Sequence, residues 1–249
     1  MTKIILSGCN GKMGRVITRL VSQDKDCEIV CGLDINTSLP NEYPVVTSLE
    51  DFNGKADVII DFSNPENTDK LIKYCKDTST ALVMATTGLS DAQLSSLNEL
   101  SEHVAVFRSA NMSLGVNLII SLVRKAAAAL EGDFDIEIIE KHHNQKIDAP
   151  SGTALMIADE IADELKDKPE YVYDRHAVRK KRSENEIGIH AVRGGTIVGE
   201  HEVIFAGNDE IISVKHTAMS KEIFAVGSIR ASKFIAGKKS GMYSMKNMM

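Results

Sequence analysis

The sequence predicts an α/β chain in two parts, a doubly wound parallel sheet followed by an α+β unit on a mixed, open sheet. Three observations carry the prediction. Short apolar runs alternate with amphipathic helical stretches as far as Asn111, the pattern of parallel strands joined by crossover helices. A turn with three glycines joins the first of these strands to the first helix. Beyond Asn111 a long Ala- and Leu-rich helix breaks the alternation, and strand-like stretches then follow one another through Gly- and Asp-containing turns.

Lys3–Ser7 (KIILS) is a short apolar run of the kind that forms a buried strand. It enters Gly8, Gly11 and Gly14 and then RVITRLVSQ, whose apolar positions recur at helical spacing. Glu28–Asp34 is the second strand, ending in an acid, and Asp57–Ser63 the third, closed by Asn64-Pro65. A helix over Glu66–Lys76, a strand within Thr80–Gly88, a helix over Asp91–Ser101 and a strand over Val104–Arg108 complete the first part. Ser113–Gly132 is a long helix stopped by its last glycine. FDIEIIEKHH is a strand, and Ser151 is placed to cap the helix TALMIADEIADELK. EIGIHAVRGG, TIVGEHEVIFAG and EIISVKHTAMS add three strands, so the second sheet is expected to have four. A helix over Lys221–Ala236 and a Met-rich tail close the chain.

With 249 residues the chain can bury one large core or two modest ones. Its 43% hydrophobic and 26% charged residues are those of a soluble globular protein. A net charge of −6 excludes nucleic-acid binding driven by bulk charge, and the basic run Arg179–Asn185 is expected to be a solvated loop. No apolar run reaches the roughly 20 residues of a membrane span. The first residues carry glycines where a signal peptide would still be apolar, so they read as mature structure. Cys9, Cys27, Cys31 and Cys75 have no CxxC spacing and read as reduced thiols. These features predict a cytoplasmic protein with neither nucleic acid nor membrane as partner.

The turn GCNGKMG spans Gly8 to Gly14. Backbone approaches a phosphate closely only where no Cβ intervenes, and a helix N-terminus adds unpaired N–H groups and a positive dipole end. The spacing is GxxGxxG rather than GxGxxG, but it follows a strand and opens a helix, and Asp34 stands 20 residues beyond Gly14 at the end of the second strand. An acid there accepts hydrogen bonds from a ribose hydroxyl, so the turn predicts dinucleotide binding in a Rossmann-type fold. The Asp34 carboxylate repels a 2′-phosphate and Ile35 cannot attract one, which favours NADH. Lys12 and Arg15 are cations that could partly compensate and admit NADPH.

A second concentration of chemistry is EKHHNQKIDAPSGTA, Glu140 to Ala154. Its histidines suggest a metal, but adjacent residues on a strand point to opposite faces and no HExxH or cysteine partner accompanies them. A surface loop is a second reading. The third is proton transfer beside an anion site: histidine titrates near neutral pH, and lysine adds a positive charge or a second acid. The following PSGT turn opens a helix with backbone N–H groups and two hydroxyls, a receptor for a carboxylate. Taken with a nicotinamide domain, this combination points to reduction of a small acidic substrate without a metal.

GCNGKMG, ATTG (Ala85–Gly88), SANMSLGVN (Ser109–Asn117), EIIEKHHNQKIDAPSGTA and GEH (Gly199–His201) occur in the order found in dihydrodipicolinate reductases, also called 4-hydroxy-tetrahydrodipicolinate reductases. The chain resembles that family over nearly its whole length. The resemblance implies nicotinamide-dependent reduction, with loss of water, of a cyclic hydroxy-dicarboxylate on the route to diaminopimelate and lysine. It implies that His142 is the proton donor and Lys146 a second acid, and that His143, Ser151, Gly152 and Thr153 hold the substrate's carboxylates. For the cofactor it implies Gly8, Cys9, Asn10, Gly11, Lys12, Met13 and Asp34, the turn Ala85, Thr86, Thr87, and Ser109, Ala110, Asn111 and Met112. It further implies a dinucleotide-binding domain of residues 1–112 and 230–249, a substrate and tetramer-forming domain of residues 113–229, a homotetramer, and closure at hinges near Asn111–Ser113 and Ile229–Ala231. Two departures are visible: family members often carry an acid followed by arginine at Asp34-Ile35, and Ala85 stands where GTTG has glycine.

Overall fold

In the computed structural model, which describes residues 1–176 and 178–249, the apolar runs of the first third become parallel strands. These are β1 (Thr2–Ser7), β2 (Cys27–Leu33), β3 (Val45–Val46), β4 (Val58–Asp61), β5 (Ala81–Met84) and β6 (Ala105–Arg108). Further along lie β7 (Asp135–His142), β8 (Glu170–Val172), β9 (Glu186–Arg193), β10 (Gly199–Ala206) and β11 (Ile211–Ala218), and near the end β12 (Gly241–Tyr243). The helices are α1 (Lys12–Val21), α2 (Thr68–Thr78), α3 (Asp91–Ser101), α4 (Leu114–Leu130), α5 (Gly152–Ala162) and α6 (Glu222–Ile235). Met1–Ser113 with Glu222–Met249 form one compact unit and Leu114–Lys221 a second. The chain thus returns to the first unit at Glu222 rather than at residue 230, because the whole of α6 packs there, against α1.

The first unit is a seven-stranded parallel sheet in the order β12-β6-β5-β4-β1-β2-β3, the doubly wound arrangement. Ile4, Ile5, Leu6, Val58, Ile59 and Ile60 have no exposed surface, as strands covered by helices on both faces require. The order reverses between β1 and β4, so the carboxyl ends of these two strands open a crevice, the place where such sheets bind ligands. Two strands of this sheet escaped the sequence reading. β3 has two residues and β12 three, too short for any periodicity, and β12 draws the Met-rich tail onto β6 with Met245 fully buried behind it.

The second unit is a mixed sheet in the order β11-β10-β7-β9-β8. β7 runs antiparallel to β10 and parallel to β9. It has five strands rather than the expected four; β8 is a three-residue edge strand whose Glu-Tyr-Val carries no alternation to detect. Ile136 and Ile138 of β7, Ile187 and Ile189 of β9, and Val203 and Phe205 of β10 pack against Ile120 and Val123 of α4 and Ile157 and Ile161 of α5. Glu140 and His142 follow Ile136 and Ile138 at the period of two, so they continue the same helix-facing side of β7 past the end of the apolar core. This alternation is what delivers polar chemistry to a sheltered position. The basic run is not wholly solvated: Arg182 donates to Asp135 (2.8 Å), to the Ile136 carbonyl (3.1 Å) and to the Glu186 carbonyl (2.6 Å), tying that segment to β7 and β9. No helix among the described residues is long and apolar enough to cross a membrane.

Candidate active site

At the glycine turn, each requirement is set by backbone. Gly8 has φ +77°, a conformation other residues rarely adopt, and a Cβ there would lie 2.6 Å from the Phe62 carbonyl oxygen at the end of β4. A Cβ on Gly14 would lie 2.1 Å from the Gly8 carbonyl oxygen, so this glycine lets α1 pack directly onto the turn. Gly11 caps α1 from outside, and the helix begins with Lys12 and Met13, whose N–H groups have no intrahelical acceptor. Asp34 closes the turn from β2, accepting from the Asn10 N–H through Oδ2 and from the Asn36 N–H through Oδ1, both at 2.9 Å. Each oxygen keeps a lone pair for a further donor.

A cavity of about 370 Å³ runs from Gly8 and Gly11 to Asp34, Ile35 and Asn64. A second, of about 350 Å³, is lined by Met13, Phe62, Ala85, Thr86, Thr87 and residues 108–112. The structure therefore gathers the two later segments expected at the cofactor, Ala85–Thr87 and Ser109–Met112, around one opening with Met13. Glycines that admit no Cβ, a helix N-terminus and an acid at the far end fit a dinucleotide. The Cys9 side chain is turned away from the turn's open face: it is fully buried, a Cβ on Gly32 would lie 2.6 Å from its sulfur, and burial pushes its thiol up to about 11, so only its backbone is left for the expected cofactor contact. All four cysteines are buried and unpaired.

Two residues here were missed from sequence. Asp61, fully buried at the end of β4, accepts from the hydroxyls of Thr86 and Ser63, both at 2.6 Å, and so fixes the Thr86 side chain. The acid closing DVIID was its only signal. Lys70 of α2 lines the Asp34 cavity, a position that depends on how α2 lies against the sheet. Arg15 is occupied elsewhere, donating to the Pro40 carbonyl (3.1 Å) and Asn41 Oδ1 (3.0 Å).

The second concentration of chemistry lies in the second unit. His142 is the last residue of β7, its side chain 12% exposed, with Nδ1 2.6 Å from Glu140 Oε2. Its ring meets the edge of His201 of β10 at 5.3 Å between centroids. Burial, and then the charge of His142, push His201 down to about 4, so it is neutral at physiological pH. Its Nε2 lies 2.9 Å from the Ser151 hydroxyl, which also accepts from the Ala154 N–H as the cap of α5. The Ser151 N–H donates to Glu140 Oε1 at 3.0 Å. Ser151 is 2% exposed, so it faces inward, whereas Gly152 is exposed at the first position of α5 and Thr153 half-buried behind it.

Lys146 and His143 sit on the loop between β7 and α5. Lys146 is held by Asp148, to whose two oxygens it donates at 2.7 and 2.8 Å, and this contact keeps the Asp148 carboxyl below the usual range. His143 is half-buried, and its ring makes no hydrogen bond among the described residues. The site's most connected members, Glu140, Arg193 and His201, were not among the expected site residues, although GEH and the motif's leading glutamate were visible. Among the described residues no group of three or more His, Cys, Asp or Glu is arranged to hold a metal ion. A histidine on a buried carboxylate, beside a helix start and a lysine, can protonate a bound anion.

Comparison with known proteins gives a consistent picture. The family model described as "Dihydrodipicolinate reductase, N-terminus" matches residues 2–112, and "Dihydrodipicolinate reductase, C-terminus" matches residues 115–249. The chain is 52% identical over 248 residues to the 4-hydroxy-tetrahydrodipicolinate reductase of Caldanaerobacter subterraneus subsp. tengcongensis, covering 100% of this chain and 98% of that protein. It is 50% identical over 249 residues to the Clostridium tetani protein of the same name, covering 100% and 97%. Among solved structures, a dipicolinate-bound dihydrodipicolinate reductase from Paenisporosarcina sp. TG-14 superposes with a TM-score of 0.85 at 26% identity over the whole of both chains. A myo-inositol dehydrogenase from Corynebacterium glutamicum, with a TM-score of 0.56 at 14% identity over 96% of this chain and 90% of that one, shares the fold alone.

Proposed function

The chain belongs to the dihydrodipicolinate reductase family, and from that premise we propose which of its residues carry the reaction. It is an NAD(P)H-dependent oxidoreductase that reduces 4-hydroxy-tetrahydrodipicolinate, with loss of water, to tetrahydrodipicolinate in diaminopimelate and lysine biosynthesis. Bound at the glycine turn, the nicotinamide cofactor supplies the hydride. Reduction of a conjugated C=C–C=N system leaves enamine-like electron density that needs a proton on the neighbouring carbon. His142 delivers that proton, and Lys146 stabilises the negative charge as it develops, exchanging Asp148 for the substrate. The observation that carries this reading is the short contact of His142 with buried Glu140 beside the start of α5.

One substrate carboxylate lies against Gly152 and Thr153 at the helix N-terminus, with His143 and Lys146 supplying further donors. Ser151 holds it with them: its oxygen lies at the Ala154 N–H and at His201 Nε2, and with Nε2 as the donor its O–H is left to donate to the carboxylate. The dipicolinate bound to the Paenisporosarcina protein supports a planar dicarboxylate as the ligand class. At the cofactor end, Asp34 and the 94% exposed Ile35 favour NADH, while Lys12 at the start of α1 and Lys70 on the cavity wall are the cations that admit NADPH. We place the protein in the cytoplasm as a homotetramer built through the second unit, a reading supported by the exposed Ile211 and Ile212 on edge strand β11.

The experiment that tests these assignments is His142→Ala assayed beside wild type, with pyridine-2,6-dicarboxylate as competitor. A fall in kcat of about 10²-fold or more is expected, the usual scale of general acid catalysis. The dicarboxylate should compete with substrate. A near-normal kcat would remove His142 from the donor role, and non-competitive behaviour would remove the carboxylate cradle.

A further inference from the structure

We propose that the buried Glu140 and the half-buried Arg193 form an ion pair that positions His142, making Nδ1 its anchored nitrogen and Nε2 the atom that passes the proton. The proposal rests on the reading of His142 as donor. Its starting point is register. Glu140 and His142 share one side of β7, and Arg193 of β9 is the direct partner of His142 across the parallel pair.

The carboxylate of Glu140 has no exposed surface, which is costly for a charge unless donors surround it. Four donors do. Arg193 Nη2 reaches Oε1 at 2.6 Å and Nη1 reaches Oε2 at 2.8 Å, a bidentate fork; the Ser151 N–H and His142 Nδ1 complete the set. Burial pushes the Glu140 carboxyl up, but the hydrogen bonds from Arg193 and His142, the Arg193 charge and the Ser151 N–H outweigh it and hold it below the usual range. An ionised carboxylate has no proton to give, so the hydrogen between it and the ring belongs to Nδ1. The proton that His142 gains and loses is then on Nε2. That nitrogen lies over Gly199, where a Cβ would stand 3.1 Å away, so only glycine leaves this side of the ring uncrowded.

The same guanidinium ties the rest of the site to the pair. Arg193 Nη2 also donates to the Asp148 carbonyl at 2.7 Å, anchoring the loop that carries Lys146, and the Ser151 N–H on Glu140 anchors the start of α5. One carboxylate therefore sets the donor, the lysine loop and the anion-binding helix. The charges near His142 are Glu140 on its own strand, Arg193 on β9, and Lys146 with its partner Asp148 on the loop. His143 follows it in the chain, neutral His201 faces it from β10, and His216 of β11 lies beyond as the cross-strand partner of His201. Glu140 and Arg193 bring opposite charges to the ring, so removing one or the other should displace the pH limb of turnover in opposite directions.

The test is the pH dependence of kcat and kcat/KM for wild type, Glu140→Gln, Arg193→Met and Arg193→Lys, with His142→Ala and NADH binding measured alongside. Glu140→Gln should lower kcat on the order of 10²-fold and shift the limb lost on deprotonation to lower pH. Arg193→Met should shift it to higher pH, and Arg193→Lys should return it towards wild type, all with unchanged NADH binding. Loss of activity with unmoved limbs would reduce the pair to a structural role and overturn the proposal, as would wild-type behaviour of Glu140→Gln and Arg193→Met. A near-normal His142→Ala would instead bring down the donor reading itself, and the positioning with it. Imidazole nitrogen NMR of the unmodified protein gives a check independent of variant folding: His142 is expected as the Nδ1–H tautomer when neutral, and an Nε2–H tautomer would overturn the proposal.

Discussion

The glycine turn of the first unit and the His142 cluster of the second solve opposite problems. The turn works by lacking side chains: Gly8 admits a left-handed backbone, Gly14 admits a helix at contact distance, and the helix start offers N–H groups. The His142 cluster works by crowding side chains together: Glu140 and His142 from β7, Arg193 from β9, His201 from β10 and Ser151 ahead of α5 satisfy one another in a buried network. What a local turn does can be written in consecutive residues, whereas what a network does is written across the sheet. Substitutions in the two regions should therefore fail in different ways.

The largest contrast is expected at Gly14→Ala. Its Cβ would meet backbone rather than a movable side chain, so the turn must shift; we expect NADH affinity to fall about 10-fold or more, equivalent to roughly 1.4 kcal/mol, with the pH profile of turnover unmoved. Calorimetric titration checks the first and assays at saturating cofactor the second. A displaced pH limb would mean that the two regions are not separable in this way.

Ser151→Ala should have a smaller, mixed effect. It removes the cap of α5 and leaves His201 Nε2 without its partner, at a cost of about 1–2 kcal/mol in stability. With the O–H gone from the carboxylate site, KM should also rise several-fold while NADH binding does not change; an unchanged KM would remove Ser151 from direct substrate contact. Denaturant titration and steady-state kinetics separate the two.

The smallest effect concerns pH and stability. His201 is held down to about 4 from an ordinary value of 6.5, so between these limits the unfolded chain binds the proton more readily than the folded one. Stability due to this group is present above about pH 6.5 and is lost as pH falls towards 4. Thermal melts of His201→Gln should fall less steeply than wild type over that window. Parallel melting curves would contradict the neutral, buried assignment.

The legibility of the sequence follows the same division. Strand β1, the turn and Asp34 were readable because spacing alone carries their meaning, and α3 was expected at Asp91–Ser101, where it lies. Strands β3, β8 and β12 were not, since two or three residues cannot display a period. In the second region, residues 140–154 announced chemistry without announcing its wiring. Nothing local says that Arg193 lies beside His142; that follows from the parallel register of β7 and β9. Ser151 was legible as a cap, but its inward hydroxyl depends on His201, 50 residues away. Lys70 reaches the Asp34 cavity by helix packing that no motif encodes.

The most direct measurement is oxidation of NADH and of NADPH followed by absorbance, with the substrate generated in place by a synthase from pyruvate and aspartate semialdehyde. The account predicts oxidation that requires both the synthase and this protein, faster with NADH than with NADPH. A folded protein that binds NADH yet oxidises neither cofactor would contradict the reductase, and a preference for NADPH would contradict the role given to Asp34 and Ile35.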